Sequence, residues 1–171
     1  MGSCEVKVPH SLDAILNIAD DRSLIGKRLE DLIHDLHAGV SLKGIKEKYW
    51  VHMITGANAF ELYARDLLIE HADVKYHWSW KTEDNIEVAE LVQVHWLDVK
   101  TNFPAQMLTP RTSYEVLFVL RRNEKAKELT NSNLKLVLPN QNASEVTVDL
   151  STLPTNEWKE IQVGGFETSS R

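Results

Sequence analysis

The residues best suited to binding chemistry lie in a short aromatic segment near the middle of the chain. Six of them are candidate binding residues: His71, Asp73, Tyr76, His77, Trp78 and Trp80. Indole and phenol rings are broad and rigid, so such rings either fill a core or face outward to stack on a flat ligand. A sugar ring has an apolar C–H face and a polar edge, so its sites combine an exposed aromatic ring with carboxylate, amide or backbone partners. Composition leaves both interpretations open.

The position of each ring along the segment indicates whether it is expected in the core or on the surface. Trp78 and Trp80 have the same parity, so on a strand they share a face, and His77 points the other way. We expect Trp80 in the core, whereas Trp78 suits the core and the surface equally. His71 is either a stacking imidazole or a loop residue bonded within its own loop. The remaining tryptophans are predicted to be core residues: Trp50, Trp96 and Trp158.

Searches for catalytic and metal-binding patterns give no positive signal. The sequence lacks a Gly-x-Ser-x-Gly elbow, a His-Glu-x-x-His pair and a phosphate-binding glycine loop, and Cys4 has no orienting partner nearby. His34 and His37 are three residues apart but lack a third ligand at a supporting spacing, which favours a solvated helix face. Carboxylates that could form a glycosidase pair are better explained as a charged loop: Glu83, Asp84, Glu87 and Glu90. The sequence predicts no enzyme, no cofactor and no metal site.

The totals describe an ordinary globular chain of 171 residues with a net charge of -6. This charge disfavours nonspecific binding to a phosphate backbone, although Arg121-Arg122 leaves a local basic patch open. The single cysteine, Cys4, excludes an intramolecular disulfide and fits a reducing compartment. Membrane-spanning and secretory patterns are absent, and Met1–Val6 matches a lipidation signal only in part. The prediction is a cytoplasmic protein without a membrane segment.

The elements that must position the aromatic segment change type near residue 48. Two helices are predicted between residues 9 and 40, with Ser11 as the first N-cap and Gly39 as the last C-cap. A β-hairpin follows, with strands at 49–54 and 59–64. After a charged loop at 81–87, further strands are predicted at 88–99, 113–120, 134–138, 146–150 and 158–163. The pattern predicts an antiparallel β-sandwich preceded by a helical region.

Several motifs and their order along the chain resemble those of the phloem protein 2 lectins, the Nictaba-like family of plant lectins. The segments that carry the resemblance are Lys48–Val51, Ala64–Ile69, Tyr76–Trp80, Val88–Leu91, His95–Asp98, Leu108–Tyr114, Trp158–Ile161 and Gly164–Phe166. The resemblance implies a jelly-roll β-sandwich over residues 48–171, with a helical extension over residues 1–47. It also implies binding of N-acetylglucosamine oligomers or the core of N-glycans, without metal or catalysis.

The same resemblance suggests partners and a location. Family members occur in the cytoplasm of phloem cells, associate with the phloem filament protein, and RNA binding has been proposed for some. A homodimer is a further expectation, and membrane association is not expected. The alternative function is a structural or interaction protein that does not bind sugar and acts through its helices or an open sheet edge.

Two departures from the family pattern modify the expected function. Ile69-Glu70-His71 stands where the family usually has Ile-Thr-Trp, and an imidazole offers less stacking area than an indole. The sequence therefore predicts weaker sugar binding than is usual in the family. The family pattern also continues beyond Gly165-Phe166 with two more strands that are not seen here, so we expect a shortened sheet with an unpaired edge.

Overall fold

The computed structural model describes residues 6–93, 97–139 and 141–170. Its contacts divide the chain into two compact units, one up to Pro110 and one from Arg111 onward. The fold is mainly β with antiparallel sheets and a few helices, which confirms the predicted fold class. The division into residues 1–47 and 48–171 stays a prediction.

Among the described residues of the first unit there are two α-helices and seven strands. Helices α1 and α2 span Leu12–Asn17 and Leu29–Ala38. Strands β1 to β7 span Val40–Leu42, Glu47–Val51, Asn58–Leu62, Leu68–Ile69, Trp78–Glu83, Ile86–Leu91 and Val99–Lys100. The second unit contains β8 to β11, which span Ser113–Leu120, Asn131–Leu136, Ser144–Asp149 and Lys159–Glu167. Short 3₁₀ turns occur at Arg22–Gly26, Ala64–Asp66, Ala105–Met107 and Leu150–Thr152.

The two helices form where apolar residues recur at helical spacing, as predicted. Leu12 and Ile15 of α1 and Leu32 and Leu36 of α2 are buried. α2 ends at Ala38 and is followed by the predicted C-cap residue Gly39, whose φ of 102° is readily adopted by glycine. Ser11 occupies the predicted N-cap position of α1, but its side chain makes no capping hydrogen bond. Its hydroxyl instead donates to the carbonyl oxygen of Gln106 at 3.0 Å.

The main core of the first unit lies between these helices and the sheet β1-β2-β3. Alternate residues of β2 are buried, and β2 and β3 form the predicted hairpin. Buried polar groups link this core to flanking segments. The Tyr49 hydroxyl donates to Oδ1 of Asn58 at 2.7 Å. The Asn58 amide nitrogen donates to the carbonyl oxygens of His10 and Met107 at 2.7 and 3.0 Å.

The strands around the aromatic segment differ from the predicted ones. Residues 81–87 are not a charged loop, because β5 and β6 form a tight antiparallel hairpin there. Its turn residues Asp84 and Asn85 have φ values of 50° and 67°, as a type I′ turn requires. The long strand predicted at 88–99 is also wrong, since β6 ends at Leu91 and β7 begins at Val99. Trp96 lies outside the described residues.

The second unit follows the predicted strands closely. β8 has the predicted bounds, and the other strands are shifted by a few residues. β8 pairs with β11 across a bulge between Gln162 and Gly164, and β9 pairs with β10. A Cβ atom at Gly164 would lie 2.9 Å from the Cβ atom of Ser144 in β10. Glycine thus lets the two sheets approach closely, whereas the jelly-roll connectivity stays a prediction.

The predicted burial of two further tryptophans has different outcomes. Trp158 is 46% exposed, so its placement in the core is wrong. It lies just before β11, and the guanidinium of Arg121 stacks on its ring at 4.3 Å from the centroid. Trp50 is half-buried on β2. Trp158 therefore contributes an exposed ring to the surface of the second unit.

Candidate functional site

The candidate site is the loop of residues 70–77, which connects β4 to β5. Three successive backbone hydrogen bonds fold it into turns: Ala72 N–H to Ile69 O, Val74 N–H to His71 O and His77 N–H to Val74 O, at 3.2, 3.0 and 2.9 Å. His71 adopts a left-handed φ of 62° at the start of this series. These bonds satisfy much of the loop's backbone locally, so the loop has a defined conformation without regular secondary structure.

The two tryptophans of β5 form hydrogen bonds to the backbone of this loop. The Nε1–H group of Trp78 donates to the carbonyl oxygen of Glu70, and that of Trp80 donates to the carbonyl oxygen of Ala72, both at 3.0 Å. Parity correctly predicts that both side chains share one face of the strand. Their order of burial is the reverse of the expectation, because Trp78 is buried and Trp80 is only half-buried. With 7% of its surface exposed, Trp78 presents no ring face for stacking in this structure.

The other four candidate residues form the outer side of the loop. Tyr76 is 83% exposed, His71 and Asp73 are exposed, and His77 is half-buried. The rings of His71 and His77 lie 5.2 Å apart between centroids and are inclined by 40°. Nδ1 of His77 is 2.6 Å from the carbonyl oxygen of Gln93. Because a carbonyl oxygen only accepts, Nδ1 carries a hydrogen, and in the neutral imidazole Nε2 of His77 is then an acceptor.

Two charged residues complete the supporting side of the site. The guanidinium of Arg65 stacks on the ring of Trp80 at 3.6 Å from its centroid. Nε of Arg65 donates to the carboxylate of Glu87 at 3.0 Å. Sequence reasoning did not select Arg65 as a site residue. The available signal was its place in the Ala64–Ile69 motif, since no spacing rule links residue 65 to residue 80.

Two of the four acidic residues that could form a glycosidase pair have structural partners. Glu87 pairs with Arg65, and Glu90 of β6 lies 2.6 Å from Nζ of Lys81 on β5. Within residues 6–93, 97–139 and 141–170, no group of three or more histidine, cysteine or acidic residues could hold a metal ion. In the same part of the chain, no helix is long and apolar enough to cross a membrane.

The molecule is thus a β-rich chain that carries exposed aromatic and imidazole rings on a supported loop, an arrangement suited to binding. The phloem protein 2 family model matches residues 57–171. The chain is 38% identical to phloem protein 2-like A1 of Arabidopsis thaliana, over 97% of this chain and 70% of that protein. It is 35% identical to a protein named lectin from Luffa acutangula, over 96% of this chain and 81% of that protein. The chain belongs to the phloem protein 2 family, as the resemblance predicted.

Proposed function

We propose that this chain binds saccharides through the loop of residues 70–77. The observation that carries the proposal is the ring of Tyr76, which is 83% exposed on a loop that two indole N–H groups support. The lectin named among its relatives supports the same function. The ligands we propose are N-acetylglucosamine oligomers or the core of N-glycans, in the cytoplasm of phloem cells.

The outer residues of the loop offer the two kinds of contact that a sugar needs. The phenol ring of Tyr76 provides a flat surface for the apolar face of a pyranose. The carboxylate of Asp73 and the acceptor nitrogen of His77 can receive hydrogen bonds from hydroxyl groups. The imidazole of His71 adds a smaller ring beside His77. Because this surface contains no exposed indole, we expect weak binding.

The structure changes the proposed role of the tryptophans. Trp78 and Trp80 act mainly by holding the carbonyl groups of Glu70 and Ala72, so they position the loop. Replacing Trp78 by alanine would disturb this support as well as any ligand contact. The direct test is therefore made at an exposed residue.

Calorimetric titration with chitotriose tests the proposal. We expect wild-type binding, a loss of about two- to twelvefold in affinity for Tyr76→Ala, and a gain for His71→Trp, because one aromatic contact is worth about 0.5–1.5 kcal/mol. Trp158→Ala is the matched control, since it removes an exposed ring outside the loop. A folded wild-type chain that releases no heat, with no binding recovered in His71→Trp, would contradict the proposal.

A function in protein interaction is the second candidate. Leu117 and Val119 of β8 and Trp158 are all more than two-fifths exposed, which leaves apolar surface on the second unit. By contrast, the apolar residues of α1 and α2 are largely used in the core of the first unit. A complex with the phloem filament protein that persists in excess chitotriose and is lost in Leu117→Glu would support this function.

A further inference from the structure

The indole of Trp80 in the candidate site is half-buried, and one face of its ring is covered by another side chain. Its Nε1–H group reaches the carbonyl oxygen of Ala72, so the ring lies directly beside the proposed binding loop. The guanidinium of Arg65 covers one face at 3.6 Å from the ring centroid. This is the separation at which a flat ligand would stack on an indole.

We infer that the covered face of Trp80 is a second saccharide subsite, which takes another pyranose ring of an oligosaccharide once Arg65 moves aside. The inference rests on the proposed function, because the first ring is the one bound by the loop. The subsite would favour oligomers over single sugars, since a monosaccharide held at Tyr76 does not need Trp80.

The surroundings of Trp80 match the needs of a stacked sugar. Ala72, whose carbonyl oxygen accepts from Trp80, lies in the chain between His71 and Asp73. A ring on Trp80 would therefore lie close to the backbone of the loop that carries His71 and Asp73. On its other side, the carboxylate of Glu87 would lose its contact with Arg65 and could accept a hydrogen bond from a sugar hydroxyl.

The contacts that hold Arg65 on the ring are weak enough to be displaced. The side chains of Arg65 and Glu87 are 35% and 47% exposed, so water and salt screen their ion pair. A guanidinium on an exposed ring adds a modest attraction. The backbone of Arg65 lies in the 3₁₀ turn Ala64–Asp66, so the side chain can swing outward without a change in the strands.

Titration of wild type and Arg65→Ala with N-acetylglucosamine and with chitotriose tests the inference. We expect chitotriose affinity to rise about two- to fivefold in Arg65→Ala, the factor that corresponds to losing an exposed cation–π contact. Affinity for the monosaccharide should not change. Glu87→Gln, which loosens Arg65 without removing it, should give a smaller gain in the same direction.

Arg121→Ala is the matched control, because it removes the guanidinium from the Arg121–Trp158 stack in the second unit. It should change neither affinity. Arg65→Gln provides a second variant in case the alanine variant is poorly folded, and thermal unfolding checks both. The indole N–H signal of Trp80 in an NMR titration of Arg65→Ala should shift more with chitotriose than with the monosaccharide, which affects it only through the loop.

A lower affinity for chitotriose in Arg65→Ala, or an equal change for both sugars, would overturn the inference and make Arg65 a support for the loop. If wild type binds through Tyr76 but Arg65→Ala changes the affinity for neither sugar, the second subsite is refuted while the proposed function stands. If no variant binds either sugar, including His71→Trp, the proposed function fails as well.

Discussion

Two regions of the first unit hold their aromatic residues by different forces. In the helix–sheet core, Tyr49 is fully buried, its ring lies 5.2 Å from that of Phe60, and its hydroxyl reaches Asn58. In the loop of residues 70–77, Tyr76 is exposed to solvent, whereas Trp78 and Trp80 of β5 donate hydrogen bonds to carbonyl oxygens of the loop. The first region is held by packing, and the second by polar contacts to a folded loop.

Because of this difference, we expect the core to determine the stability of the first unit and the loop to determine the proposed binding. Apolar burial between α1, α2 and the sheet supplies the main free energy of folding in the first unit. The loop buries little, so its order depends on a few directed bonds. Such bonds fix the backbone that carries the exposed side chains before a ligand arrives, which reduces the entropy lost on binding. Mutations in the two regions should therefore affect different measurements.

The largest effect is expected in the core. Leu36 is fully buried between α2 and the sheet, so Leu36→Ala should lower the free energy of unfolding by about 2–5 kcal/mol, through lost burial and the cavity left behind. Urea unfolding measures this change. The saccharide affinity of the folded fraction should remain that of the wild type. A large loss of affinity in fully folded protein would show that the two regions are coupled.

A smaller effect on stability is expected under the loop. Trp78→Phe removes the N–H group that donates to the carbonyl oxygen of Glu70, which leaves a shielded acceptor without this partner. We expect a loss of about 1–3 kcal/mol in the free energy of unfolding. Hydrogen exchange should show faster opening of residues 70–77, and saccharide affinity should fall. Trp50→Phe on β2 is the control, and an equal effect there would contradict a local role for Trp78.

The sequence predicts best where one periodicity decides the structure. Strand β8 alternates between exposed and half-buried residues over its whole length, so its bounds could be read directly. The same rule correctly put Trp78 and Trp80 on one face. The hairpin of β2 and β3 was predictable because a glycine-containing loop separates two alternating runs.

Where contacts distant in sequence decide, the prediction failed. Residues 81–87 look like a charged loop, yet Lys81 of β5 pairs with Glu90 of β6 across the hairpin. The burial of Trp78 depends on the carbonyl oxygen of Glu70, a backbone group that no side-chain pattern reveals. The ring of Trp80 is covered by the guanidinium of Arg65, which lies fifteen positions earlier in the chain.

Two carboxylates of the first unit, the buried Glu47 and the exposed Asp20, have pKa values that are shifted in opposite directions. Burial raises the pKa of Glu47, and a hydrogen bond with Asp66 adds to the rise while Lys43 opposes it. Burial also raises the pKa of Asp20, but hydrogen bonds from Ser41, Ile45 and Gly44 outweigh it and lower the pKa below its usual 3.8.

These shifts predict opposite pH dependences. The contribution of Glu47 to stability is present below its usual pKa of 4.5 and is lost as the pH rises through the raised value. Relative to wild type, Glu47→Gln should therefore gain stability as the pH rises above the usual pKa of 4.5. The contribution of Asp20 is present above 3.8 and is lost as the pH falls through its lowered value, so the destabilisation in Asp20→Asn should shrink in acid. Urea unfolding across this pH range measures both, and parallel curves for the two variants would refute the assignment.

The smallest change in stability is expected at Tyr76, the residue that we propose to be most important for binding. Tyr76 is mostly exposed, so Tyr76→Ala should alter the free energy of unfolding by no more than about 0.5 kcal/mol while it weakens saccharide binding. Tyr49→Ala, in the core, should do the reverse, because it removes a fully buried ring. If Tyr76→Ala instead destabilises the fold as a core substitution does, its ring is part of the packing. The loop would then be a structural element, and the distinction between a packed core and a presented binding surface would not hold.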